Sequence, residues 1–344
     1  MPENCVNYTN RDVFQTVSVL AVVANGLLYR LIRKHTPFVM SGYKKVLYTS
    51  CIFDGLAAIS HFSILLRPSM EQDVAVANFD GPLPHFIDSM GLLQDGRLAY
   101  LMIVEMAFQF NTLVYSFVPF TYRYFHIVRN VRFTNLKFAC LCVGYVAPTI
   151  LLATVHPLLA KETYEHMVLY LGPATGGCLR RIPFYDSRVF YEQPYVLISY
   201  WALHGMWFVM LFPLISLFCA FQVYRKLNQD VQRATALKNL QRQITIVLTV
   251  QTAVPFVSVA LPVAYVIYHL TTQGHSESEK NFALRLFFGS LAVVPLSNAT
   301  CIILFVKEYR IAVLRGLRLY EDRRLVSTTI SSLVASSKVF TTVA

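Results

Sequence analysis

Residues 94–123 read QDGRLAYLMIVEMAFQFNTLVYSFVPFTYR, and the reading of this stretch decides the fold. It is long and apolar enough to cross a bilayer, yet it carries Arg97, Glu105, Gln109, Asn111 and Arg123. Positions 97, 101, 105, 109, 112, 116, 119 and 123 are spaced by threes and fours and share one helical face. That face reads Arg, Leu, Glu, Gln, Thr, Ser, Pro, Arg, while the others carry Leu, Ile, Val, Met and Phe. Ionisable groups in hydrocarbon are costly, so this helix must turn its polar stripe toward other helices. The rest of the chain is expected to pack around it.

Composition supports the same reading. Of 344 residues, 55% are hydrophobic and 14% charged, whereas a soluble domain carries about 25% charged. Apolar runs at roughly 13–32, 46–66, 95–122, 136–157, 196–224, 243–270 and 282–306 predict seven membrane spans. The expected architecture is all-α, a seven-helix transmembrane bundle. Its parts are a polar terminus at 1–12, the bundle at 13–306, an interfacial helix at 307–324 and a disordered tail at 325–344. Residues 1–12 are short and polar, so no cleavable leader is expected.

The net charge of +11 comes mainly from the segments after spans one, three, five and seven, which hold most of the 30 Lys and Arg. Glu71, Asp73, Asp80, Asp88 and Asp95 gather on the other side, between spans two and three. Basic loops stay cytoplasmic. The N-terminus is therefore expected outside and the C-terminus inside, with the charge serving as cytoplasmic anchoring rather than nucleic-acid binding. Asn7-Tyr8-Thr9 is then a glycosylation acceptor on the outer side. Cys51, Cys140, Cys142, Cys219 and Cys301 read as small core residues, and Cys5 and Cys178 fall where an oxidising compartment could join them. The long segment 158–195 reads as an outer lid or a plain connector. After span seven, Ile311, Leu314, Leu317 and Tyr320 form an apolar stripe beside Arg310, Arg315 and Arg318, which suits a helix lying on anionic lipid.

Local strings narrow the class. Gly42-Tyr43-Lys44-Lys45 opens span two and Leu66-Arg67-Pro68 closes it; Tyr122-Arg123-Tyr124-Phe125 ends span three. Leu240-Gln241-Arg242-Gln243 leads into Leu248 to Pro255 of span six, and Lys307-Glu308-Tyr309-Arg310 follows span seven. In this order they resemble the nematode serpentine chemoreceptors of the Str superfamily, Str-like or class d, a seven-transmembrane G-protein-coupled type. The resemblance implies a small extracellular ligand, a heterotrimeric G protein as partner, the plasma membrane and a sensory-neuron cilium as location, and olfactory signal transduction as the role. Two departures stand out. Asn298-Ala299 occupies the place where members often have an acidic residue and proline, and no acidic residue precedes Arg123.

Candidate sites follow from depth. Asn25, Asp54 and Asn298 share the inner half of the membrane. They read either as a hydrated switch cluster able to hold a sodium ion near Asp54 or as a hydrogen-bonded packing network. A ligand cavity is expected in the outer half, built from Arg97, Tyr100, Leu101, Glu105, Phe108 and Gln109 of span three, Trp201 and His204 of span five, and Tyr265 and His269 of span six. Glu105 could equally be the neutral member of an interhelical hydrogen bond. Arg123, Tyr124, Arg129, Arg225, Lys226 and Arg242 line the expected G-protein face. His61, His156, His204 and His269 are expected at the interface, because none has the i, i+4 spacing of a helical metal pair. The sequence contains no H-E-x-x-H, G-x-S-x-G or P-loop, so no enzyme is expected and no other cofactor. A transporter or channel is the alternative, though no span shows the Gly/Pro-broken pairs of repeat transporters.

Overall fold

The computed structural model describes residues 8–36, 42–71, 74–90, 95–151, 181–186, 211–229, 235–271 and 275–317. Helix α1 spans Tyr8–His35 and ends in Arg33, Lys34 and His35, cations that complement the negative end of the helix dipole. Helix α2 spans Lys44–Ile64 and stops at Leu65, which adopts a left-handed backbone (φ 48°). That reversal starts an antiparallel hairpin, β1 (Leu66–Glu71) and β2 (Val74–Phe79). The short helix α3 (Pro82–Ser89) follows. Strand β3 (Arg181–Asp186), from the long connection between spans four and five, pairs with β2. So the predominantly helical molecule carries a three-stranded sheet at one end, where an irregular loop had been expected. Gly81 makes the return possible: a Cβ there would lie 2.2 Å from the Ser63 carbonyl oxygen and 2.5 Å from Ile64 C. An Arg67–Asp80 ion pair (2.7 Å) closes the hairpin base.

Span three is not one continuous helix. Helix α4 (Asp95–Tyr115) gives way to a turn at Ser116–Phe117, then α5 (Val118–Arg123) and a single π-turn at Tyr124–Val128. The cause is Pro119, which has no N–H to continue the ladder but suits the first turn of a new helix. The backbone tightens across the break, with Phe117 N–H donating to Val114 O at 3.1 Å and the Ser116 hydroxyl to Leu113 O at 2.7 Å.

Helix α6 spans Asn135–Leu151, α7 Phe212–Gln229, α8 Thr235–Thr271, α9 Glu277–Phe305 and α10 Lys307–Gly316. Each of the seven expected spans overlaps helix in its described residues; residues 152–157 of the fourth and 196–210 of the fifth lie outside them. Among the described residues, Asp12–His35, Tyr100–Val128, Leu248–His269 and Glu277–Phe305 are by themselves long and apolar enough to cross a membrane. Helix α9 packs along both α1 and α8, and α2 along α1 and α4. The stripe of α4 and α5 is enclosed as its polarity requires: Glu105, Gln109, Thr112, Ser116 and Arg123 are all buried. Helix exteriors are apolar instead, as Val19, Val23, Leu214, Leu217, Val257 and Leu261 illustrate. This inside-out polarity suits a bilayer as solvent. The core divides into a large cluster around Tyr115, Phe117, Val118 and Ile302 and a smaller one beside the sheet around Ile64, Phe79 and Met102. Cys140 departs from the expected core placement and is exposed, whereas Cys51 and Cys219 are buried.

The helix after span seven is helical over Lys307–Gly316, and residues from 318 lie outside the described part. Tyr309, on its inner face, is fully buried and its hydroxyl lies 2.8 Å from the Thr36 hydroxyl. Burial pushes the Tyr309 phenol up to about 12, so this clasp is a neutral hydroxyl pair at physiological pH.

Candidate functional site

The centre of the sheet end of the bundle is the Glu105 carboxylate. Glu105 is 1% exposed and takes hydrogen bonds from two helices. The Ser60 hydroxyl donates to Oε2 at 2.7 Å, His61 Nδ1 lies 2.6 Å from Oε1, and Gln109 Nε2 donates to Oε1 at 3.2 Å. The carboxyl group thus joins α2 to α4. His61 is 5% exposed. It follows Asp54 by seven residues on α2 and shares its inward face, a spacing visible in the sequence.

Among the described residues, His61 Nε2 and Gln109 Oε1 have no hydrogen-bond partner. Both side chains line a cavity whose other walls include Leu66, Met106, Phe110 and Phe288. The cavity is small, ≈ 10 Å³, room for about one water molecule. Unsatisfied polar atoms on residues that line a mostly apolar cavity could each take a bond from a polar guest.

The remaining expected pocket residues are placed unequally. Leu101 is half-buried against the sheet-end core, and Phe108 is half-buried on α4. Tyr100 is 68% exposed and Tyr265 37% exposed; both sit on outward faces, so neither lines this cavity. His269 is buried but packs against Tyr265, Tyr268 and His275, away from the Glu105 cluster. Arg97 lies in α4, its side chain outside the described residues. Trp201, His204, Cys5, Cys178 and Asn7 also fall outside them, as does the structure of His156.

Deeper in the bundle the second polar group assembles. Asn298 Nδ2 donates to Asp54 Oδ1 at 3.2 Å, and Asn25 Nδ2 donates to the Ala21 carbonyl at 2.9 Å and the Pro295 carbonyl at 3.2 Å. Among the described residues, Asn25 Oδ1, Asp54 Oδ2 and Asn298 Oδ1 are buried oxygens without a donor. One carboxyl and two amide oxygens are donors of the type that a hard cation takes.

At the far end, Arg123 is buried and donates from Nη1 to the Thr245 hydroxyl at 2.9 Å, joining span three to α8. Beside it Tyr122 donates to the Gly42 carbonyl at 2.8 Å. Arg129 Nε donates to the Tyr124 hydroxyl at 2.9 Å and stacks over its ring. Arg129, Arg225 and Lys226 are exposed on the surface. The Arg242 side chain is outside the described residues.

No curated protein matches the chain significantly. Squid rhodopsin, a solved structure, matches with a TM-score of 0.60 over 92% of this chain and 88% of that chain, at 13% identity. At that identity the likeness is one of fold: a seven-transmembrane helix bundle. The model of the serpentine type 7TM GPCR chemoreceptor Srd matches residues 12–315, nearly the whole length. A buried polar spine, an apolar exterior, the rhodopsin-like fold and the family match agree, and this multi-pass membrane chain belongs to the Srd family of serpentine 7TM GPCR chemoreceptors.

Proposed function

We propose that the chain is a chemosensory receptor of the plasma membrane, in a sensory-neuron cilium, that binds a small extracellular molecule and signals to a heterotrimeric G protein. Its N-terminus is outside and its C-terminus inside. The observation that carries this reading is the Glu105 cluster: a buried carboxyl group bridging α2 and α4, with two unpartnered polar atoms on the wall of a cavity.

The cavity is too small for more than water as it stands. An agonist must therefore part α4 from α9, whose Met106 and Phe288 face each other across it. A ligand that binds only the widened arrangement shifts the equilibrium toward it, which is what transmission requires. The guest is a small, largely apolar compound with hydrogen-bond donors for Gln109 Oε1 and His61 Nε2, the latter an acceptor when a neutral imidazole gives its Nδ1–H to the Glu105 carboxylate. Asp54, Asn298 and Asn25 lie between this cavity and Arg123 and serve as the polar switch, with a sodium ion as a resident of the inactive arrangement.

The test is a ligand screen with a second-messenger readout, followed by Glu105→Ala, Gln109→Ala and His61→Ala. Each should shift the agonist dose–response to the right by roughly ten- to a hundred-fold, the equivalent of about 1–3 kcal/mol for a lost buried polar anchor, with surface expression retained. Unchanged potency in all three would move the ligand elsewhere. An agonist-evoked ion current without G-protein turnover would replace the receptor reading with a channel.

A further inference from the structure

Helices α8 and α9 are joined by a short connection, and its two flanks bring three metal-binding side chains together. His269 stands in the last turn of α8, His275 immediately before the cap of α9, and Glu279 in the first turn of α9. One ligand atom from each lies within 4.8 Å of the other two. The imidazole rings of His269 and His275 are 4.2 Å apart between centroids, and His275 Nδ1 is 3.6 Å from Glu279 Oε2.

Several observations separate this cluster from a chance gathering of polar groups. His269 is 5% exposed, and among the described residues its Nδ1 has no hydrogen-bond partner. His275 Nε2 is likewise a buried atom with no partner among the described residues. Buried side-chain nitrogens are normally hydrogen-bonded, so two neighbouring imidazoles with orphan nitrogens point to a ligand. The carboxylate is held in place: Glu279 Oε2 accepts from the Ser276 backbone N–H at 2.8 Å and from the Ser276 hydroxyl at 3.0 Å. This capping box fixes α9's first turn. It also supplies the kind of outer hydrogen bond that orients a metal-bound carboxylate.

We propose that His269, His275 and Glu279 form a binding site for a borderline divalent transition ion of the Zn²⁺ class, clamping the end of α8 to the start of α9. Two neutral imidazoles and one carboxylate are a known donor set for zinc, and they leave a fourth position for water or an exogenous ligand. Calcium and magnesium prefer oxygen donors throughout and are selected against. Zinc–nitrogen bonds of about 2.0–2.1 Å place tetrahedral donors roughly 3.4 Å apart, so the three side chains need to close in by about 1 Å or a little more. The clamp sits far along α8 from Thr245, the partner of Arg123. Thr245 and His269 are separated by 24 residues of α8, about 36 Å at the helical rise. Fixing one end of that lever against α9 restricts how its other end can move, so the bound metal biases signalling. The site stands independently of whether the Glu105 cavity takes the agonist.

The test uses the full-length receptor, purified without a polyhistidine tag and reconstituted in nanodiscs. Co²⁺ should give the visible absorption of a tetrahedral nitrogen–oxygen site, and Zn²⁺ should quench it at one equivalent while millimolar Ca²⁺ and Mg²⁺ do not. His275→Ala and Glu279→Gln should weaken Zn²⁺ binding at least ten-fold, read by competition with a chromophoric chelator. Zn²⁺ should raise the melting temperature of the wild type, and the His269→Ala/His275→Ala protein should melt as the zinc-free wild type does. The wild-type cobalt spectrum depends on no variant's folding, and its absence would overturn the proposal. Undiminished Zn²⁺ affinity in the double variant would overturn it as well.

Discussion

Arg123 is a cation that the fold encloses instead of leaving at the surface. Its guanidinium is buried and held by Thr245 of α8, whereas a cation that only marks a membrane edge would reach outward. Releasing α8 from span three requires breaking this bond, which makes the pair a restraint at the cytoplasmic end of the proposed topology. Arg123→Ala should change agonist-driven G-protein turnover by roughly ten-fold, within the usual range for coupling between two sites, while agonist affinity stays within a few-fold. Wild-type turnover at equal surface density would remove Arg123 from the coupling machinery. Asp54 makes the second case at this scale. A sodium ion held there stabilises the state that binds it, so sodium in place of potassium should raise the melting temperature of the wild type and leave Asp54→Asn unmoved. Equal melting of the wild type in both salts would return Asp54, Asn25 and Asn298 to a packing network.

At the scale of elements, the hairpin between α2 and α3 deserves a direct test because its geometry tolerates so little. The chain leaves α2 through the left-handed Leu65 and comes back at Gly81, whose N–H donates to the Ile64 carbonyl at 3.0 Å. All three atoms that a new Cβ would strike, Ser63 O, Ile64 C and Ile64 O, belong to backbone, so the neighbouring chain itself must move. Gly81→Ala should cost about 1–3 kcal/mol, the usual penalty for overpacking a tight site, and lower both melting temperature and surface expression. Gly26→Ala in α1 is the control: nothing lies within 4 Å of its Cβ, and removing glycine from a helix interior gains roughly 0.5–1 kcal/mol. If the two variants melt alike, the close return at Gly81 is not what holds the hairpin.

For the whole molecule, polarity runs the reverse of a soluble protein's. Charged and amide groups such as Glu105, Asp54 and Arg123 are inside, and Leu and Val cover the outside of the helices. Direction across the membrane rests on the basic segments at the Arg123 end and the acidic residues before Asp95. An epitope tag at the N-terminus should stain intact cells, and one at the C-terminus should stain only after permeabilisation. The opposite pattern would invert the molecule and place the sheet, the Glu105 cavity and the His269 cluster in the cytoplasm, out of reach of an external ligand.

What the sequence by itself determined is whatever lipid imposes residue by residue. A span must be apolar over about 20 residues, and a charge within it must turn inward; both are local and countable. Seven spans, the buried stripe from Glu105 to Arg123 and the depth shared by Asp54 and Asn298 were readable on that basis. The tertiary structure decided which polar atoms meet, because the rotation of each helix is set by side chains far away in the chain. Glu105 finds Ser60 and His61 only because α2 packs against α4 with that face inward. Tyr100 and Tyr265 turn outward for the same reason. The sheet could not be read either: β2 and β3 are separated by about a hundred residues, and β3's alternation is too short to announce a partner. The His269–His275–Glu279 cluster lay in a seemingly ordinary connection, since imidazoles six residues apart share no helical face until the chain turns and α9 is capped by Ser276.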